Sequence, residues 1–168
     1  MDASYVVIFP HEKNKPHVYY DPGASAGWCA YDARGNLYLD QVVASHRRRF
    51  EEIGVLKKGT TTFKNYRLDH SFAAGGLQFD GRHIVVGNLQ TNTLYRLRFA
   101  GSNATVIGST QLGTVQYVQQ FWIFDRRVIA ADLDGNSTYI WRYPAGGPPV
   151  TSIEAFFMPQ GSTISAGS

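Results

Sequence analysis

Short runs of alternating apolar and polar residues, separated by turns rich in glycine, asparagine and proline, follow one another along the whole chain. One run, Leu37–Asp40, comes directly after the turn Arg34-Gly35-Asn36. Alternation with a period of two is typical of strands, and glycine at a tight connection is typical of a β-hairpin. No long stretch has the Ala, Leu, Glu and Lys content of a helical bundle. The pattern therefore predicts an all-β chain.

Two sequence units recur along the chain with a single period of about 45 residues. The first unit starts with an aromatic residue and an aspartate, and its aspartates are 48 and then 45 residues apart, at Asp32, Asp80 and Asp125. Strands of the second unit end 47, 43 and 44 residues apart, at Phe9, Leu56, Phe99 and Tyr143. A period of this size with four short strands is typical of a propeller blade. We therefore expect a β-propeller built from four-stranded antiparallel blades.

The repeat divides the chain, taken as one propeller segment over residues 1–168, into about three full blades and two partial ones. The full blades are predicted at 25–70, 74–112 and 117–154. Residues 1–22 would form the outer half of a preceding blade, and 155–168 an innermost strand at Gly161–Ser165 followed by a tail. Such a segment leaves strand edges and apolar faces open. We expect it to be completed either by self-association or by the remaining blades of a longer propeller.

The composition fits stacked blades and excludes a disordered chain. The 168 residues are 14% aromatic and only 17% charged, whereas disordered chains are charged and poor in aromatics. The net charge of +3 is local, because residues 46–69 carry +4 and the remainder −1. This distribution does not predict a specific nucleic-acid partner. No apolar run approaches the length of a membrane span, and the first residues lack the pattern of a signal peptide.

The segments Tyr31–Asp40 and Tyr143–Pro148 resemble repeats of bacterial β-propellers of the NHL-repeat and gluconolactonase-like group, of the secreted or lipid-anchored type. The chain is similar to the C-terminal half of such a protein, since members usually carry six or seven blades. The resemblance implies a β-propeller fold and an extracellular or cell-envelope location. In gluconolactonase-like members a bound divalent metal also performs hydrolysis near the central cavity.

Oxygen-bearing side chains recur after the second strand of each predicted blade, and they are candidate metal ligands. These residues are Asp40, Asn88, Asp132 and Asp134. Carboxylate and amide oxygens that converge on the central cavity could hold calcium, which takes six to eight oxygen ligands. The alternative is that each side chain accepts hydrogen bonds from nearby loop backbone, as in Asx turns. The aspartates of the first unit are expected to stabilise the inner hairpins.

A basic run, Arg47, Arg48 and Arg49, is predicted to lie in the loop that enters the outer strands of the first full blade. Adjacent arginines can bind phosphate, sulfate or an acidic surface. The alternative is a solvated loop that Glu51 and Glu52 partly neutralise. The run is nevertheless a candidate polyanion-binding site.

Motifs for nucleophilic, phosphate-handling or dinucleotide chemistry are absent from the sequence, and its five histidines are scattered. The lone cysteine, Cys29, stands in an apolar strand, where a buried thiol is expected. We therefore expect a non-enzymatic binding or scaffold module for an unassigned small-molecule or protein ligand. The alternative is a calcium-assisted lactone or ester hydrolase with its site at the central cavity.

Overall fold

The computed structural model describes residues 4–9, 15–21, 24–45, 48–70, 74–154 and 157–163. Within these ranges the chain forms fourteen strands and no helix. The strands are β1 (Ser4–Ile8), β2 (His17–Asp21), β3 (Ala24–Tyr31), β4 (Leu37–Ser45), β5 (Arg48–Leu56), β6 (Lys64–Leu68), β7 (Ala74–Phe79), β8 (Ile84–Asn88), β9 (Thr93–Ala100), β10 (Asn103–Gln111), β11 (Phe121–Phe124), β12 (Arg127–Asp132), β13 (Ser137–Arg142) and β14 (Thr151–Ile153).

Most neighbouring strands pair antiparallel in the order of the chain. β1 and β2 form a two-stranded sheet, and β11–β14 form a four-stranded one. β3–β6 and β7–β10 are two further four-stranded meanders, which are joined at their outer strands by a short parallel contact between β6 and β10. The turn before β4 uses Gly35 at a φ of 79°, a conformation that glycine adopts without steric cost.

Successive sheets pack face to face, and each interface holds its own apolar core. Leu39 belongs to the core between β1–β2 and β3–β6, and Ile53 to the core between β3–β6 and β7–β10. Trp141 belongs to the core between β7–β10 and β11–β14. The innermost strands β3 and β11 both contact β7. Sheets stacked face to face with their first strands together define a β-propeller, as the sequence predicts.

The second full blade contributes to two cores through a single strand. β8 is buried along its whole length. Val85 faces the core shared with β11–β14, and Val86 faces the core shared with β3–β6. Because successive side chains of a strand point to opposite faces, a continuous apolar run is what a sheet covered on both sides requires.

Two local predictions are wrong, and a third stays a prediction. Cys29 is exposed, because it faces the side of β3 that the two strands β1 and β2 leave uncovered. Arg48 and Arg49 belong to a strand and not to a loop, since the β4–β5 ladder continues to the pair Ser45 and Arg48. Residues 161–163 are not part of a strand in the described ranges, and the rest of the predicted strand Gly161–Ser165 lies outside them, so that strand stays a prediction.

Candidate functional site

Basic side chains gather at one edge of the blades, which we call the hairpin end. It is the edge at which the first and second strands of each blade connect, through the turns 32–36, 80–83 and 125–126. The cations in or near these turns and the adjoining third-to-fourth strand connections are Arg34, Lys57, Lys58, Lys64, Arg82, Arg98, Arg126, Arg127 and Arg142. Within the described part of the chain, none of these nine cations forms an ion pair with a carboxylate. The hairpin end therefore presents positive charge that the described residues do not neutralise by ion pairing.

A cleft opens at the hairpin end between the sheets β7–β10 and β11–β14, and we call it the interblade cleft. Its volume is about 910 Å³. Aromatic and guanidinium groups line it, contributed by Phe79, Phe124, Tyr143, Arg82, Arg96 and Arg126. The side chains of Asp80, Asp125 and His83 also line the cleft.

A hydrogen-bonded carboxylate connects the two walls of the cleft. The Tyr143 hydroxyl, on the β11–β14 side, donates to Asp80 Oδ2 at 2.6 Å. Asp80 Oδ1 accepts the backbone N–H groups of Arg82 at 2.8 Å and His83 at 2.6 Å. Burial favours the neutral acid, but these three donors outweigh it and hold the pKa of Asp80 below its usual range. Burial and the same hydrogen bond raise the pKa of Tyr143, so the site holds an aspartate and a neutral phenol.

Arg96 crosses the floor of the cleft because of a glycine on the neighbouring strand. It pairs with Gly108 next to a bulge in β10, and a Cβ at Gly108 would lie 2.3 Å from the guanidinium nitrogen. The guanidinium donates to Thr110 Oγ1 at 3.1 Å and lies 5.8 Å from the ring centroid of Tyr143. Thr110 in turn donates to the carbonyl oxygen of Pro144 at 2.8 Å. Arg96 is therefore held in one orientation by contacts from both blades.

Arg126 reaches the cleft from a strained turn. The strand pair Phe124 and Arg127 closes a two-residue hairpin whose central residues, Asp125 and Arg126, have φ values of 45° and 58°. This is the type I′ geometry that Asn-Gly normally supplies. The Arg126 carbonyl accepts the backbone N–H of Tyr143 at 2.7 Å, which fixes the turn against the cleft wall. Non-glycine residues in the left-handed region cost about 1 to 2 kcal/mol each, and such strain gathers at functional sites.

The first-unit aspartates occupy the inner hairpins, as expected. Asp32 Oδ1 accepts the backbone N–H groups of Arg34 and Asn36, both at 2.9 Å. Asp80 makes equivalent turn contacts and adds the contact to Tyr143. Asp125 is an exposed turn residue. The turn role could be predicted from the repeat, but the contact across the blades could not.

The candidate metal ligands lie at the opposite edge of the blades. The side chains of Asp40, Asn88 and Asp132 accept hydrogen bonds from backbone N–H groups. Asp40 Oδ1 accepts the N–H groups of Gly27 and Trp28. The Asp132 carboxylate accepts the N–H groups of Gln116 and Tyr117, at 3.0 and 2.9 Å. These donors belong to the strand or connection that precedes each ligand by 12 to 16 residues.

The other two candidate ligands differ from these. Asn88 Oδ1 accepts the N–H of Gln90, two residues on, at 2.9 Å, and Asp134 is exposed. Among the described residues, no three His, Cys, Asp or Glu side chains are grouped so that they could hold a metal ion. A calcium site that uses Asn88 together with the three aspartates stays a prediction.

The polyanion site predicted at Arg47–Arg49 also stays a prediction. Arg47 lies outside the described residues, and for Arg48 and Arg49 only the backbone is described, as part of β5.

A second opening follows the innermost strands, where the sequence predicts the central cavity. It measures about 430 Å³, and residues of β3, β7 and β11 line it. Tyr31 and Phe124 are 51% and 45% exposed there. Phe124 borders the interblade cleft as well, so the two openings adjoin.

Comparison with known proteins shows the fold and no closer relationship. No protein-family model matches the chain, and no curated protein matches it. The chain is similar to the β-propeller domain of Cps50 (Swd1) from Myceliophteria thermophila, at 14% identity and a TM-score of 0.60, over 91% of this chain and 53% of that one. It is also similar to glutaminyl cyclase from Myxococcus xanthus, at 17% identity and a TM-score of 0.53, over 85% and 59% of the two chains.

A third similar structure is Sqt1 from Chaetomium thermophilum, at 15% identity and a TM-score of 0.54, over 82% of this chain and 36% of that one. The chain thus spans between 36% and 59% of the three proteins that it matches. These similarities show that the chain has a β-propeller fold. The described residues contain no helix that is long and apolar enough to cross a membrane.

Proposed function

We propose that this protein is a non-enzymatic β-propeller binding module whose ring is completed by a second copy of the chain. The observation that carries the proposal is an apolar face on β1–β2 with no described residues against it. In the ladder, Tyr5 pairs with Tyr20 and Val7 with Val18, so these four side chains share one face. Together with Phe9 they are 48% to 63% exposed.

This face continues the pattern of the internal interfaces. On the opposite side of the same two strands, Val6, Ile8 and Tyr19 pack into the core that β1–β2 shares with β3–β6. A sheet that is apolar on both sides needs a cover on both sides. The occupant that the pattern favours is therefore another blade.

The far end of the chain carries a face that could supply that cover. The strand pairing places Trp122, Ile140 and Thr151 on the side of β11–β14 that points away from the described blades. Ile153 faces the same way and is 45% exposed. A head-to-tail contact between this face and β1–β2 of a second copy can repeat once and close a ring.

The matched propellers contain more blades than this chain supplies. The chain spans 53% and 59% of two of the matched structures, so a ring of their size needs further blades, which a second copy could provide. The blade limits 25–70, 74–112 and 117–154 belong to this proposal, and the pairing of β3–β6, β7–β10 and β11–β14 supports them. We also place the chain in the NHL-repeat and gluconolactonase-like group, of bacterial, extracellular or cell-envelope type, on the resemblance of Tyr31–Asp40 and Tyr143–Pro148.

Light scattering after size exclusion, over a wide concentration range, tests the ring. We expect twice the 18.7 kDa mass of the chain. Val18→Glu places a charge in the exposed face and should give the single-chain mass with an unchanged circular dichroism spectrum. The matched control is Ile107→Glu, because Ile107 is 36% exposed on the outer strand β10, away from both end faces.

A single-chain mass for the wild type at every concentration would overturn the proposal, and the same mass for Val18→Glu and the wild type would overturn the choice of interface. Masses that grow without limit would also contradict ring closure, since they indicate an open chain of copies.

A calcium-assisted hydrolase remains the alternative prediction. The backbone contacts of Asp40 and Asp132 support the binding module instead, because they employ those carboxylates in holding strands together. Bound calcium by elemental analysis, together with turnover of a lactone panel, would favour the hydrolase.

A further inference from the structure

We propose that the interblade cleft binds an aromatic organic anion, a ligand with one planar ring and one carboxylate or phosphate group. The proposal deepens the binding function by naming a ligand class. It does not need ring closure, because every residue that lines the cleft belongs to one chain. A monomeric protein that still binds such a ligand would therefore overturn the ring and leave this site intact.

The positive charge of the cleft favours an anionic ligand. Arg82, Arg96 and Arg126 bring three guanidinium groups to one cavity. No carboxylate among the described residues forms an ion pair with any of them. Of the two aspartates in the lining, Asp80 is occupied by three hydrogen-bond donors from Tyr143, Arg82 and His83. The three guanidinium groups still outnumber the two aspartates, and guanidinium recognises carboxylate and phosphate through paired N–H donors.

Two of the three cationic residues are held in place, Arg96 by its guanidinium and Arg126 by its backbone, which lowers the entropy lost on binding. Arg96 is fixed by Thr110 and by the ring of Tyr143. Arg126 stands on a hairpin held in the left-handed conformation. Strain of this kind persists only where the surrounding structure enforces it, and here the backbone bond from Tyr143 enforces it.

The aromatic walls of the cleft favour a ligand with an aromatic ring. Phe79 and Tyr143 line the cavity, and Phe124 beside them is 45% exposed. Exposed aromatic faces are the ordinary partners of a stacked planar ligand. The volume of about 910 Å³ lies within the range of small-molecule pockets, so a small ligand is the simplest occupant.

One further polar atom faces this network without a partner. Nδ1 of His83 is buried, has no hydrogen-bond partner among the described residues, and lies 3.6 Å from Asp80 Oδ2. His83 also lines the cleft. A ligand oxygen or a water held by the ligand would satisfy this nitrogen, as buried polar groups generally require.

The test is a nuclear magnetic resonance titration of the isotopically labelled protein with phenyl phosphate and, separately, benzoate. Inorganic phosphate supplies the anion alone, and phenol supplies the ring alone. We expect saturable shifts of the amides at 81–83 and 125–126, and at least tenfold weaker binding of both single-feature probes. The ratio between phenyl phosphate and benzoate then distinguishes a phosphate ligand from a carboxylate one.

Adjacent arginines provide a matched pair of variants. Arg126→Gln should weaken phenyl phosphate binding about tenfold, because Arg126 lines the cleft. Arg127→Gln removes the same charge one residue away. Because Arg127 does not line the cleft, the affinity of this variant for phenyl phosphate should stay within twofold of the wild type. Arg126→Gly gives a second variant whose fold is not at risk, since glycine suits the φ of 58°. It should lose binding without a lower melting temperature.

Three results would each overturn the proposal. Equal weakening by the Arg126 and Arg127 variants would indicate diffuse attraction to the basic edge. Phenol that binds as tightly as phenyl phosphate would indicate an apolar crevice, and inorganic phosphate that binds equally well would indicate an anion site without ring recognition.

Discussion

The hydrogen bond between Tyr143 and Asp80 joins two blades, and its contribution to the free energy of unfolding can be measured directly. The two residues are 63 positions apart, and the 2.6 Å contact is made across the interblade cleft. The perturbation is Tyr143→Phe, which removes the hydroxyl and keeps the ring that packs in the core shared by β7–β10 and β11–β14. The partner variant is Asp80→Asn, and the two together complete a double-mutant cycle.

The magnitude follows from burial and charge. Tyr143 is 9% exposed and the Asp80 side chain 6% exposed, so solvent screens the pair weakly. Hydrogen bonds to charged groups contribute roughly 1.5 to 3 kcal/mol. Asp80 keeps its two backbone donors in the variant, so we expect Tyr143→Phe to lower the free energy of unfolding by about 2 kcal/mol. For a domain of this size that is a fall of roughly 4 to 8 °C in melting temperature.

The assay is urea denaturation followed by tryptophan fluorescence, at pH 7 and again at lower pH. The pKa of Asp80 is lowered in the folded protein, so its contribution is complete above the unfolded value near 3.8 and is lost as the pH falls through the folded value. Part of that lowering comes from Tyr143. The difference between wild type and Tyr143→Phe should therefore shrink as the pH falls from about 5 towards 2.

The control is Tyr139→Phe, which removes a hydroxyl that has no hydrogen-bond partner among the described residues and whose ring packs against the same core. It should change stability by less than about 0.5 kcal/mol. If Tyr143→Phe also lowers the free energy of unfolding by less than about 0.5 kcal/mol, the bond does not link the blades. A coupling energy near zero in the double-mutant cycle would refute the link as well.

The remaining predictions concern strain, titration and close packing. Arg126→Gly should raise the free energy of unfolding by about 1 kcal/mol in urea denaturation, because glycine relieves the left-handed φ; a loss of stability would contradict the strain. Burial and the charge of Asp40 raise the pKa of Glu51 to about 7, above its unfolded value of 4.5, so wild-type stability should fall as the pH rises between these values. Glu51→Gln should remove this dependence of stability on pH and raise the free energy of unfolding by about 1 kcal/mol at pH 8, a value reduced because Glu51 is partly exposed. An unchanged pH dependence would contradict the raised pKa of Glu51. Gly54→Ala should destabilise by roughly 1 to 3 kcal/mol in thermal melts, because its Cβ would lie 2.3 Å from the buried side chain of Gln41, and a neutral result would show that Gln41 moves aside.

The fold could be predicted from the repeat, and the turn role of the aspartates from their position in the repeated unit. Asp32 and Asp80 follow an aromatic residue and precede a hairpin, and a turn role follows from that local chemistry alone. The prediction that Cys29 is buried fails because its strand is apolar along its length, whereas the exposure of one face depends on how far β1–β2 extends over it.

Most of the interblade cleft has no signal of its own in the sequence. Tyr143 stands in a Tyr-Pro repeat and Arg96 in an ordinary alternating strand, and nothing local relates them to Asp80. Their meeting depends on the angle between two sheets and on Gly108, which leaves room for Arg96 to cross. The one local clue was Asp125-Arg126 at a two-residue hairpin, where Asn-Gly is expected.

The position of β8 between two cores has a consequence for how the protein opens. Each blade is held only by its neighbours, so stability is a sum of nearest-neighbour terms, as in a linear array of repeats. β7–β10 shares two such terms, while β1–β2 shares one among the described blades. In a single copy, fluctuations should therefore begin at the ends and reach β8 last, so that its amides define the global free energy of unfolding. A partner that covers the β1–β2 face would add the missing term and make the first strands as slow to exchange as the middle of the array.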